Sequence, residues 1–158
     1  IPAIDDGVKS LDESIEIIKN MKALGYKKII TTPHIMSHRF PNRKDNILAG
    51  CELVKNELSK QNIDIELQAA AEYYFDEYFI EKIREKDLLT FGDNYVLFEL
   101  SYTSTPFGLE QIVFELLQSG YKPILAHPER YTYYSSSLEK YAGLKDMGLL
   151  FQINLKEQ

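Results

Sequence analysis

Two of the chain's three histidines stand beside a proline and close behind an apolar run: His34 in "KIITTPH" and His127 in "PILAHPER". Carboxylates take comparable places, Glu72 after "LQAAA" and Glu99 inside "YVLFELS". Neutral imidazole nitrogen and carboxylate oxygen are the donors that hold zinc, manganese or iron, and a carboxylate can bridge two ions. Paired ions can clamp a phosphate and lower the pKa of a bound water. Glu99 carries the sharpest signal, because a carboxylate inside an apolar strand is costly to bury unless it is paired, protonated or metal-bound. Arg130, close behind His127, adds a planar fork suited to bidentate phosphate recognition, with a surface salt bridge as the structural alternative. Asp5 and Asp6 in "IDDG" form a second acidic group. Gly7 favours a turn there, while two adjacent carboxylates can also supply a metal ligand at a rim.

Each candidate also has a purely structural reading. A histidine at a strand end can serve as a hydrogen-bonded core residue. Glu72 could open a helix, where its charge suits the N-terminal dipole. His38, in the polar "SHRF" loop, reads as solvent-exposed. The tyrosines of "EYYFDEY" and "RYTYYSSS" read as packing residues with surface hydroxyls, and stacking on an aromatic substrate is the functional alternative. Cys51, the single cysteine, cannot form an internal disulfide and points to a reducing, cytoplasmic setting. It falls in a helix-like segment with no phosphate-cradling glycine loop, so it reads as a small core residue rather than a nucleophile.

The elements that must position these groups alternate along the chain. "SLDESIEIIKNMKAL" begins with a capping box, Ser10 to Glu13, and carries Ile15, Ile18 and Met21 on one helical stripe. "KDNILAGCELVKNELSK", "DEYFIEKIREKDLL", "GLEQIVFELLQSG" and "SLEKYAGLKDMG" read as four more helices. "KKIITT", "IDIELQA", "YVLFELS", "KPILA" and "LLFQINL" read as strands. Helix, glycine and strand recur at Gly25, Gly120 and Gly148, each placed to close a helix in the left-handed conformation. Strands separated by helices imply parallel pairing, in an open α/β sheet or part of a (β/α) barrel. In such folds chemistry gathers at the carboxyl ends of strands. The residues expected there are His34, Glu72, Glu99, His127 with Arg130, and Asn154.

The 158 residues suffice for one domain or part of one, with 44% hydrophobic and 27% charged residues. A net charge of -6 without a basic block argues against a general nucleic-acid or anionic-membrane binder. It leaves room for a local cationic phosphate site. No stretch is long and apolar enough to span a bilayer, and no signal peptide is visible.

Taken together, "IDDGVKSLDESI", "TTPHIM", "AAAEYYFDE", "LFELS" and "ILAHPERY" resemble the bacterial capsule-type tyrosine-protein phosphatases of the polymerase-and-histidinol-phosphatase (PHP) superfamily. The motifs come in that family's order and span nearly the whole chain, which makes residues 1–158 a single, partial PHP phosphatase domain. The resemblance implies a distorted (β/α)7 barrel with up to three divalent metals, manganese first, iron or zinc as alternatives. It implies that Asp6 and His34 ligate one metal, that Glu72 bridges two, that Glu99 and His127 complete another, and that Arg130 holds the phosphoryl oxygens. It further implies in-line hydrolysis of phosphotyrosine without a phosphoenzyme or catalytic cysteine. The implied substrate is the tyrosine-rich tail of a bacterial tyrosine kinase that controls capsular or extracellular polysaccharide export. The family also has an initial Asp-x-His-x-His strand and a late Asp-x-His pair; neither lies in this sequence, which therefore reads as the middle of the barrel. Two alternatives stand beside this reading. One is a PHP phosphoesterase for a small molecule such as histidinol phosphate. The other is a non-catalytic module that binds phosphotyrosine without turnover.

Overall fold

The computed structural model describes residues 1–134 and 138–155 of the chain. Two compact units divide it, Ile1–Ala71 and Glu72–Gln158. The first contains α1 (Leu11–Ala23), β1 (Lys28–Thr31), β2 (His34–Ile35), α2 (Lys44–Lys60) and β3 (Glu66–Ala69). The second contains β4 (Glu72–Tyr74), α3 (Glu77–Glu85), β5 (Tyr95–Glu99), α4 (Leu109–Gln118), β6 (Lys122–Ala126), a 3-10 turn (Pro128–Arg130), α5 (Leu138–Asp146) and β7 (Leu150–Gln152). The serines 135–137, which the sequence attaches to the tyrosine-rich run and the fifth helix, lie outside the described residues.

In the first unit, Ser10 caps α1 by accepting the Glu13 N–H at 3.1 Å. Glu13 returns the contact to the Lys9 N–H at 2.6 Å, one residue earlier than an ideal capping box. Ile15 and Ile18 bury their side chains, whereas Met21, expected on the same stripe, is partly exposed. Along α2, Ile47, Cys51, Val54 and Leu58 recur at helical spacing and form its buried face. Cys51 is 1% exposed and serves as core. β1 and β3 pair in parallel, with Ile29 opposite Leu67 and Thr31 opposite Ala69.

In the second unit, β4, β5, β6 and β7 lie side by side in that order, all parallel. Val96, Leu97 and Phe98 are all buried, as expected of a central parallel strand covered on both faces. Phe79 of α3 stacks on Phe98 and Tyr73, with ring centroids 5.6 and 5.2 Å apart. Ile112, Val113 and Leu116 form the buried face of α4. Helix α3 ends earlier than the apolar pattern predicts, because Lys86 turns into the left-handed region at φ 57°. Gly120 and Gly148 adopt φ of 84° and 105°, and Gly25 in the first unit adopts 96°, as the recurring helix-glycine-strand pattern requires.

Two expectations need correction. Beyond the five strands read from the sequence, two short ones occur, β2 and β4, and His34 and Glu72 open them. Glu72 therefore neither closes β3 nor starts a helix. β3 ends at Ala69, and Ala70 and Ala71, both fully buried, carry the chain into a second short extended run. Within the two tyrosine-rich stretches, the Tyr73 and Tyr133 hydroxyls bond backbone groups where the sequence reading put hydroxyls at the surface, and Tyr141 beyond them does the same. The Tyr73 hydroxyl accepts the Leu89 N–H at 2.8 Å, and Tyr133 and Tyr141 donate to the carbonyls of Ser101 and Pro128 at 2.7 and 2.6 Å. Buried rings need a partner for their polar tips, and loop backbone supplies it. No helix among the described residues is long and apolar enough to cross a membrane.

Candidate metal centre

The register of the second unit's strands determines which side chains meet. Paired residues on parallel strands share a face, and alternate residues along one strand return to it. Glu72 pairs with Leu97, two residues before Glu99, so Glu72 and Glu99 project from the same face. Phe98 pairs with Leu125, which sets Ala126 level with Glu99. An extended backbone would then turn His127 to the opposite face. Instead His127 adopts φ 34° and ψ 59°, a left-handed conformation that costs a non-glycine residue about 1–2 kcal/mol. Pro128 follows and starts the 3-10 turn, which ends the strand's alternation.

The result is a buried cluster of two carboxylates and an imidazole. His127 Nε2 lies 2.9 Å from Glu72 Oε1 and 3.5 Å from Glu99 Oε2. Glu72 and Glu99 bring ligand oxygens within 4.8 Å of each other. Glu99 is 3% exposed and His127 5%. Burial opposes the charged form of His127, but hydrogen bonds and attraction from Glu72 and Glu99 outweigh it and push its pKa up to about 9. The ring therefore carries a proton that a divalent cation would displace. One imidazole and two carboxylates, pre-gathered and shielded from water, are a donor set that fits manganese, iron or zinc. Among the described residues, His127 Nδ1 is buried without a hydrogen-bond partner. The His127 backbone N–H donates to Gln152 Oε1 at 3.4 Å, and Gln152 Nε2 donates to Asn154 Oδ1 at 3.0 Å. Asn154 is thus linked to the His127 backbone through Gln152.

Two tyrosines frame the cluster. The Tyr131 hydroxyl donates to the Ala126 carbonyl at 2.9 Å and accepts the Leu100 N–H at 3.1 Å, tying together the ends of β5 and β6. The Tyr102 hydroxyl lies 3.2 Å from Glu99 Oε2, and Arg130 Nη1 donates to that hydroxyl at 3.3 Å. Arg130 is thereby held beside the carboxylates with its guanidinium exposed.

In the first unit, "IDDG" turns out to do both things the sequence allows. Asp5 builds the turn, accepting the Gly7 N–H at 2.9 Å and the His34 N–H at 3.1 Å. Asp6 faces the imidazole instead, with Oδ1 3.6 Å from His34 Nε2. Asn42 donates to the carbonyls of Ile4 and His34, both at 2.8 Å, and so joins the two segments. Phe40 stacks on the His34 ring with centroids 5.5 Å apart, while Arg39 reaches Asp6 at 3.9 Å. His38 is exposed, as expected.

Sequence reasoning singled out Asp6, His34, Glu72, Glu99, His127 and Arg130, read Tyr131 only as a packing or stacking residue, and passed over Tyr102 and Asn42. Tyr131 carried a usable signal: a tyrosine just after "HPER", where the strand-end backbone groups of two loops need donors and acceptors. Tyr102 and Asn42 sit in polar loops whose composition resembles any other.

The chain matches the family model described as capsular polysaccharide synthesis, CpsB/CapC, over residues 1–157. It is 30% identical to CapC of Staphylococcus aureus over 151 residues, which cover 95% of this chain and 59% of that protein. It is 28% identical to the tyrosine-protein phosphatase CpsB of Streptococcus agalactiae over 152 residues, 96% of this chain and 63% of that one. For the tyrosine-protein phosphatase YwqE of Bacillus subtilis the figures are 28% over 131 residues, 82% and 52%. Its fold superimposes with a TM-score of 0.85 and 27% identity on a chain from the crystal structures of Bacillus subtilis YwqE and Streptococcus pneumoniae CpsB, described as unique metal-dependent tyrosine phosphatases. That match covers 96% of this chain and 62% of the other. The chain thus spans about three fifths of the length of CapC and CpsB. With a family model matched almost end to end and a parallel α/β fold in common, the chain belongs to the CpsB/CapC family of capsular polysaccharide synthesis.

Proposed function

We propose that this chain forms part of a metal-dependent protein-tyrosine phosphatase, a phosphoric monoester hydrolase acting on phosphotyrosine. One observation carries the reading: Glu72, Glu99 and His127 converge in a buried group, and Arg130 is held beside it through Tyr102. In this reading Glu72, Glu99 and His127 hold a divalent metal, and Asp6 with His34 supplies ligands to another. The bridging role of Glu72 and a total of up to three ions, manganese first with iron or zinc as alternatives, belong to the same proposal. When bound, such ions polarise phosphoryl oxygens and make a coordinated water nucleophilic near neutral pH. The chain's own residues do the rest. The carboxylates keep the site anionic until cations neutralise it. Arg130 presents donors in a fork that matches two phosphoryl oxygens at once. Cys51, buried in α2, takes no part.

The distorted (β/α)7 barrel, with residues 1–158 as one partial domain of it, belongs to this proposal too. So does the substrate, the tyrosine-rich tail of a kinase of polysaccharide export, met in the cytoplasm. Family membership and the names of the compared CpsB and YwqE proteins support this choice over a small-molecule phosphoesterase.

The test uses the full-length protein with manganese, assayed on a phosphotyrosyl peptide and on histidinol phosphate, with and without chelator. Faster chelator-sensitive hydrolysis of the peptide is expected. Preference for histidinol phosphate would move the assignment to the small-molecule branch. Peptide binding without turnover would leave a recognition module.

A further inference from the structure

Resting on the reading above, we propose that Tyr102 is a positioning residue. Its hydroxyl holds Glu99 and Arg130 in one chain of hydrogen bonds, so that metal binding and phosphate binding are built as a unit.

The direction of that chain follows from donor and acceptor inventory. A guanidinium can only donate, so at 3.3 Å the Tyr102 oxygen must accept from Arg130 Nη1. The phenol has a single hydrogen, and the Glu99 carboxylate 3.2 Å away can only accept it when ionised. The order is therefore Arg130 N–H to Tyr102 O–H to Glu99 Oε2, from cation to anion, with each bond polarising the next. Glu99 Oε2 also lies 3.5 Å from His127 Nε2. Tyr102 thus sets the rotamer of the carboxylate that meets the imidazole, and leaves the other N–H groups of Arg130 for phosphoryl oxygens.

Tyr102 is itself held firmly. Its carbonyl accepts from Thr132 Oγ1 at 3.3 Å, and the carbonyl of Ser101 accepts from the Tyr133 hydroxyl at 2.7 Å. Its ring meets His127 edge-on at 5.6 Å and packs at a tilt on Tyr131 at 6.1 Å. The loop after β5 and the loop after β6 therefore lock together through Thr132 and Tyr133, whose hydroxyls donate to backbone carbonyls of the first loop. Outer partners that orient a metal ligand are worth roughly 10–100-fold in affinity or activity when removed.

Tyr102→Phe keeps the ring and deletes only the hydroxyl. In the full-length protein, the manganese affinity of Tyr102→Phe should fall about tenfold, read by titration without substrate. Inorganic phosphate, added to the manganese-loaded protein as a competitive inhibitor, should also bind more weakly, and the KM for a phosphotyrosyl peptide should rise. In an Arg130→Ala background the same change should leave phosphate inhibition nearly unaltered while still weakening manganese, because the phosphate effect passes through the arginine. Two results would overturn the inference: wild-type values for Tyr102→Phe on both ligands, or losses on both only when Tyr102→Ala removes the ring. A wild-type protein that binds none of manganese, iron or zinc would sink the proposed function itself, and this inference with it, which a silent Tyr102→Phe in an active enzyme would not do.

Discussion

At the scale of single residues, Glu99 and His127 explain each other. A carboxylate at 3% exposure at the end of an apolar strand is tolerable because a charged imidazole and a phenol face it. The same pairing makes a prediction about pH. Hydrogen bonds to Glu72 and Glu99, set against burial that acts the other way, leave His127 protonated up to about pH 9. Its proton is held more tightly in the folded than in the unfolded chain, where histidine titrates near roughly 6.5. The stabilisation it gives is complete below that lower value and fades as pH rises through about 9. With chelator present, the urea midpoint of wild type should exceed that of His127→Gln most clearly near pH 6, and the gap should narrow towards pH 10. A gap independent of pH would show that the imidazole is not held as a cation by its carboxylate neighbours. Glu99 was legible in the sequence for a physical reason: charge inside an apolar run demands a partner. The partner Tyr102 was not, because a tyrosine in "SYTSTPFG" breaks no rule of patterning.

Between single residues and the whole lie the strand ends, and here Tyr131 has the leading part. Its hydroxyl satisfies the Ala126 carbonyl and the Leu100 N–H, both buried, just where β6 and β5 deliver His127 and Glu99. Tyr131→Phe should deprive both backbone groups of this partner and lower unfolding stability by about 1–3 kcal/mol. It should also weaken manganese binding, since the two strand ends lose their tie; denaturant melts and metal titration of the same variant check both limbs. A loss of stability with unchanged metal affinity would mean that the strand ends hold their positions without it. The helices and the strands β1, β3, β5, β6 and β7, the last within the longer apolar run "LLFQINL", could be read from periodicity, capping and glycine. The short strands β2 and β4 could not, since two or three residues carry no period. Yet it is in those brief runs that His34 and Glu72 sit. The left-handed backbone of His127, which brings its ring to the carboxylates, is equally silent in the sequence except for the proline that follows.

Across the whole molecule, the parallel α/β architecture meets the strand-end logic at Glu99 and His127, whereas His34 and Glu72 open short strands. A resemblance carried by five short motifs named the family, and the register of β4, β5 and β6 explains why three of those motifs meet. The central claim is that Glu72, Glu99 and His127 grip a divalent cation. Crystals of the full-length protein grown with manganese, measured at the manganese absorption edge, test it most directly. The account predicts an anomalous peak bonded to carboxylate oxygens of Glu72 and Glu99 and to His127 Nε2. Ordered side chains with no peak among them, or manganese held only by other residues, would contradict it.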